Sequence, residues 1–271
     1  MSPQWRDEIG ILFAPRRLVL ARVSRGLRPR RVGERFTDIA TGHFANWEPA
    51  LEALREQLAE KPWQNAGVRV VLADQWVRYM IVPWQASLYG DAERMVHARH
   101  LLAGMYGDMD DWTPTLSEAM PGRAQVATAL PSALLAGLMT AIESSGGRLI
   151  SLQPQLITAF NRASPQLPGT GCWFVSVDEG SLAAAHVTPN GWDRVHAVRI
   201  GNDWSAELRR LRLFGRIATG GTADERVFVC APLWLRPAAN DGDDGLEWLE
   251  EEQPAGGGTV AQLAWLQAHH V

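Results

Sequence analysis

Lysine is almost absent: of the 26 basic residues only Lys61 is a lysine. A phosphate loop needs lysine after a Gly-rich turn, and Lys61 lies in AEKPWQN, so that chemistry is excluded. Lysine Schiff-base chemistry would rest on this one residue. Cysteine is scarce as well. Cys172 and Cys230 both sit in apolar strand-like runs and read as buried free thiols in a reducing compartment. No stretch approaches ~18 uninterrupted apolar residues, so a membrane span is not expected. The opening MSPQWRDEIG has no basic region followed by an apolar core, and does not read as a signal peptide. A net charge of -4 excludes a strong generic affinity for nucleic acid or anionic membrane.

What is present fits a soluble globular chain. The 271 residues are 46% hydrophobic and 21% charged, enough for one large domain or two ordinary ones. Tryptophan is abundant, at 12 residues. Charge is uneven. Residues 1–35 are rich in arginine, from Arg6 to Arg35, whereas no Lys or Arg follows Arg236. The tail instead carries Asp241, Asp243, Asp244, Glu247, Glu250, Glu251 and Glu252. It is either a solvated face, or it folds back on the basic half or docks on a partner.

Hydrophobic period predicts strands near 8–13, 18–24 and 31–40, then a helix over 46–60 with Asn46 placed to cap it. A strand is expected at 68–73 and another in ADQWVRYMIVPW, residues 73–84, with Asp74-Gln75 as the link. Alternation from Trp76 would put Arg78 and Met80 on its face, with Val77, Tyr79 and Ile81 opposite. A helix at 91–106, a strand at 123–130 and a helix at 132–145 stopped by Gly146-Gly147 follow. Strand 148–153 and a short helix 155–163 precede the break SPQLPGTG. The pattern then restarts. Strands 172–178 and 181–188, an Asn190-Gly191 hairpin into 192–200, a helix at 203–214 and a strand at 226–231 are predicted.

Each half thus opens with three strands, a helix and a strand. That order is the core of the RNase H-like unit, and two in tandem predict an α/β duplicated RNase H-like fold of the actin-like ATPase superfamily, with two lobes. The expected domains are a first lobe over 1–165 with an inserted subdomain at about 85–130, a second lobe over 166–236, and an acidic linker with a last helix in 237–271. That helix, near 259–270, would carry Val260, Leu263, Ala264 and Leu266-Gln267 on its apolar side.

Three stretches carry a resemblance. Val71, Leu72, Asp74, Val77, Arg78, Tyr79, Val82, Pro83 and Trp84 spell V-L-x-D-x-x-V-R-Y-x-x-V-P-W. SLQPQLITAFN at 151–161 joins the halves, and VDEGSLAAAHVTPNGW at 177–192 forms paired strands. In that order they resemble the PilM-type and GspL-type actin-like components of type IV pilus and type II secretion machines. The resemblance covers most of residues 8–231. It implies a cytoplasmic scaffold held at the inner membrane through single-span partner proteins, with homo-oligomerisation open. It also raises ATP, which PilM-type members bind. This chain, without a span, would be closer to PilM in build.

Nucleotide in this superfamily lies between two hairpins that begin with an Asp-x-Gly turn, whose amides approach the phosphates while the aspartates hold magnesium. At the first hairpin stands Leu12-Phe13-Ala14-Pro15, with no carboxylate and with a proline that lacks an amide donor. The second, Asp178-Glu179-Gly180-Ser181, keeps the pattern, either as a vestigial phosphate hairpin or as a plain turn. A Gly-Gly after the strand VFVCAP is missing, since Gly220-Gly221 precede it. The expectation is therefore a non-catalytic scaffold without a required cofactor. The alternatives are a divergent ATP-binding protein or small-molecule kinase, or a nuclease of the RNase H type.

Other patterns read as surface. Glu93, His97 and His100 could face one way from a helix, but an amphipathic helix needs a polar side in any case. Residues 107–111 and 241–245 resemble calcium loops without the required glycine and distal glutamate, and read as turns. For partner binding the candidates are Trp76, Arg78, Tyr79 and Trp84, as aromatic and arginine anchors of a groove for an extended peptide. The competing reading makes Trp84 and Tyr79 core and pairs Arg78 internally.

Overall fold

The computed structural model describes residues 7–24, 30–40, 45–201, 204–219, 225–232, 235 and 245–249. The helix expected at 259–270, most of the acidic stretch and Gly220-Gly221 lie outside them.

Two five-stranded sheets carry the fold. The first takes β1 (Glu8–Phe13), β2 (Arg17–Ser24), β3 (Arg30–Asp38), β4 (Gly67–Leu72) and β8 (Arg148–Pro154), in the order β3-β2-β1-β4-β8. The second takes β9 (Cys172–Asp178), β10 (Ser181–Thr188), β11 (Gly191–Arg199), β12 (Val227–Cys230) and β13 (Leu246–Trp248), in the order β11-β10-β9-β12-β13. In each, three antiparallel strands are joined by a strand parallel to the first and a further parallel strand outside it. In each, too, the register slips after the sixth residue of the middle strand, between Arg22 and Val23 in β2 and between His186 and Val187 in β10. The predicted duplicated α/β architecture is thus present, down to a shared bulge.

The composition of the strands follows their position. β1 (EIGILF) and β9 (CWFVSVD) are central, are buried on both faces and read as nearly continuous apolar runs. β3 (RRVGERFTD) lies at an edge and alternates with charge. On one face of the first sheet lie α1 (Glu48–Ala59) and α3 (Ser132–Ser144), packed through Leu51, Leu54, Leu134 and Leu138. α3 stops where Gly146 turns to φ +72°, a conformation open to glycine, with Gly146 N donating to Glu143 O at 2.9 Å and Gly147 N to Ile142 O at 3.0 Å.

An inserted subdomain separates β4 from β8. It is a three-stranded sheet of β5 (Arg78–Val82), β6 (Trp112–Leu116) and β7 (Gln125–Pro131), ordered β5-β7-β6 and covered by α2 (Asp91–Tyr106). Two expectations change here. Trp76 is not in the strand. Asp74–Trp76 form a 3-10 turn, so the alternation starts at Arg78. β6 was not expected at all. Its proline and the aspartates before it masked a strand.

The chain packs as two compact units. Among the described residues, one contains those up to Trp76 with Leu130–Thr158, and the other contains Val77–Ala129 with those of Ala159–Glu250. The insert therefore groups with the second sheet, where β5 runs beside β11, although sequence order had attached it to the first lobe. α4 (Gln155–Ala163) runs from one unit into the next, and α5 (Trp204–Thr219) packs on the second sheet through Trp204, Leu208 and Leu211. No described helix is long and apolar enough to cross a membrane.

Candidate functional site

The first hairpin turns through Pro15-Arg16. Ala14 and Arg17 close it, Ala14 N donating to Arg17 O at 3.0 Å. The turn carries no carboxylate, and Pro15 offers no amide, so it presents one positive side chain and little else.

The second hairpin turns through Glu179-Gly180, with Gly180 at φ +82°. Asp178 Oδ1 accepts the Glu179 amide at 2.8 Å, and Gly180 O accepts Ile200 N at 3.1 Å. Ser181 is buried. The structure therefore brings Asp178, Gly180 and Ser181 together in one tight turn. The aspartate hydrogen-bonds within its own turn and the serine hydroxyl is enclosed.

The four partner-binding candidates part company. Trp76 (3% exposed) packs on Phe13 with ring centroids 5.3 Å apart, and Tyr79 (1% exposed) is core of the insert, its carbonyl accepting the Tyr106 hydroxyl at 2.9 Å. These two fill the interior and present nothing to a partner. Trp84 is half-buried. Arg78 is exposed and lies over the rings of Tyr106 at 4.9 Å and Trp112 at 5.2 Å, not beside Trp76. Among the described residues no hydrogen bond or ion pair engages its guanidinium. A flat guanidinium held on aromatic faces with its edge donors open is shaped to take a carboxylate side-on. Beyond Trp112, a cleft of about 260 Å³ opens between α2 and β6, lined by Arg99, Leu102, Met109, Trp112 and Pro114, with Asp108 and Asp110 also on its wall.

The histidine pattern on α2 is taken up locally. Glu93 Oε2 accepts the amides of Tyr89 (2.9 Å) and Gly90 (3.5 Å) as an N-terminal cap, and His97 meets Gln85 at 3.1 Å. Among the described residues no three His, Cys, Asp or Glu side chains are placed to hold a metal ion.

One polar cluster escaped the sequence reading. His186, buried on β10, has Nδ1 2.5 Å from Asp193 Oδ1 and Nε2 3.1 Å from Glu225 Oε1, while Trp173 Nε1 donates to Glu225 Oε2 at 2.9 Å. Asp193 was within reach of inference, because the Asn190-Gly191 hairpin brings it beside His186, at the bulge where His186 pairs with Arg194. Glu225 was not. The cluster ties β10, β11 and the residues just before β12 together. Cys172, on β9, is buried, and that burial pushes its thiol pKa up. A disulfide-exchange reagent is accordingly expected to modify no more than Cys230 in the native chain, and both thiols in denaturant. Fast native labelling of Cys172 would contradict this.

The two sheets, the insert after β4 and the paired hairpins define an actin-like fold. Comparison with solved structures agrees. The chain is similar to a Bacteroides thetaiotaomicron protein of actin-like ATPase fold and unknown function (TM-score 0.57, 8% identity, covering 83% of this chain and 82% of that one). It is also similar to the PilM-PilN type IV pilus biogenesis complex (0.59, 15%, 83% and 81%) and to the cytoplasmic domain of EpsL, an inner-membrane component of the Vibrio cholerae type II secretion system (0.56, 12%, 96% and 93%). No protein-family model and no curated protein matches the chain.

Proposed function

We propose that this chain is a non-catalytic actin-like scaffold of a type IV pilus or type II secretion-type machine. It would hold single-span assembly proteins at the cytoplasmic side of the inner membrane. The observation that carries this reading is the first hairpin. Where nucleotide chemistry in this fold needs a carboxylate and free amides, there are Pro15 and Arg16. The fold shared with PilM and with the EpsL cytoplasmic domain supports the assignment to such a machine. A second reading, a divergent ATP-binding protein, draws on the Asp178-Glu179-Gly180-Ser181 turn alone. Ser181 would have to emerge before its hydroxyl could meet a phosphate.

The partner surface we favour is the insert, with Arg78 on its aromatic bed as the charged anchor and half-buried Trp84 nearby in sequence. A photo-crosslinker in place of Trp84, used in the native host, is expected to trap a short single-span protein in the inner-membrane fraction. Arg78→Glu should lower the yield about tenfold, the equivalent of ~1.4 kcal/mol. A chain found wholly in the soluble fraction, with no crosslinked product, would overturn the reading.

A further inference from the structure

α2 covers the insert with one side and turns an apolar side to solvent. Ala98 and Leu102 are buried in the core that the helix shares with the three-stranded sheet. On the outer side Val96, His100 and Ala103 follow at steps of four and three residues, so they line one face. All three are exposed, Val96 to 68%, and Tyr89, just ahead of the helix, is 86% exposed. A surface helix ordinarily carries charged or polar residues along its most outward line. Beside Ala103 stands Gly104. A Cβ built there would meet nothing within 4 Å, so no neighbour in the chain calls for glycine, although glycine weakens a helix. The outer face is thus low and largely apolar, and open to the close approach of a second backbone.

The cleft between α2 and β6 runs along one flank of this face. Arg99 and Ala103 line it from the helix, and Asp108, Met109, Asp110 and Trp112 line it from the segment that follows. Asp108 Oδ1 accepts the Asp110 amide at 2.9 Å, which fixes that carboxylate on the wall. Arg99 and Asp108 are both exposed, and among the described residues no ion pair engages either. They stand at equal steps from the Ala103-Gly104 pair, Arg99 about one turn before it and Asp108 about one turn after it. A two-fold axis across the helix reverses its direction and sets each flank against its own counterpart. With the crossing at Ala103-Gly104, Arg99 of each copy lies beside Asp108 of the other, twice. We propose that the chain forms a symmetric dimer through α2, in which Arg99 of each copy enters the cleft of the other. Its stem rests on Met109 and Trp112, and its guanidinium meets Asp108 and Asp110. This self-complementary spacing of opposite charges is what singles out a second copy as the occupant. One pair of crossed helices buries a small interface, so the dimer is weak and depends on concentration.

Sedimentation of the full chain tests this. The parent should pass from monomer to dimer between about 1 µM and 1 mM, and should dissociate as salt is raised. Arg99→Asp and Asp108→Arg should each weaken association about tenfold or more, and the two together should restore it. Gly104→Leu should leave only monomer while Tm holds or rises, because leucine favours the helix and meets nothing in the folded chain. Ala103→Cys, beside the axis, should crosslink to its own copy under mild oxidant, in a chain that also carries Cys230→Ser. Ala136→Cys in the same chain, equally exposed on α3, should not. A parent that stays monomeric throughout, a double swap that fails to restore pairing, or a Gly104→Leu chain that still dimerises overturns the proposal. So does a fall in Tm in Gly104→Ala, which would show that the glycine serves the fold itself.

Discussion

Phe174→Ala is expected to lower stability by ~3–5 kcal/mol. Phe174 is fully buried in the middle of β9, the central strand of the second sheet. Its ring meets Phe160 edge-on with centroids 5.7 Å apart, and Phe160 in turn meets Trp192 at 4.9 Å. Removing it takes away its own burial, leaves a cavity on the sheet face beside Phe160, and strips Phe160 of a partner. At ~4 kcal/mol the midpoint of thermal unfolding should fall by roughly 10 °C. Phe174→Leu, which keeps most of the volume, should cost less than half as much. Equal losses for the two variants would show that the site collapses freely, and would contradict a close-packed second core.

Asp74→Ala should cost ~2 kcal/mol. Asp74 is 4% exposed, and its Oδ1 accepts the Leu156 amide at 3.0 Å, at the start of α4. The bond spans 82 residues of chain. It fastens the turn after β4 to the helix after β8, so the insert leaves and returns through a fixed gate. Alanine would leave a helix-start amide buried without an acceptor. Asp74→Asn keeps an acceptor without the charge and should lose about half as much. Urea unfolding of the three chains orders them, and an alanine variant as stable as the parent would refute the role.

Asp74 also marks how far the sequence could be read. Its place in a link after β4 was legible, but its partner 82 residues away was not. Local signals were strong where period and punctuation agreed. The bounds of α2 and α4, and of β1, β9 and β10, follow from apolar runs closed by turn residues. They failed where one pattern ran through a boundary. The alternation of Trp76 with Arg78 and Met80 hid a 3-10 turn, and so gave Arg78 the wrong aromatic neighbour. β6 and the three-residue β13 were invisible, because edge strands in polar sequence owe their existence to the strand beside them. The poverty of the first hairpin was fully legible, since it depends only on which residues stand there. The burial of Ser181, Trp76 and Tyr79 was not, because burial is a property of what packs against a residue.

The scaffold reading turns on nucleotide. Isothermal titration of the full chain with Mg-ATP, alongside Asp178→Ala, is its most direct test. The account predicts no heat of binding for either chain at millimolar nucleotide. Micromolar binding to the parent that disappears in Asp178→Ala would contradict it, and would make the second hairpin a working phosphate site.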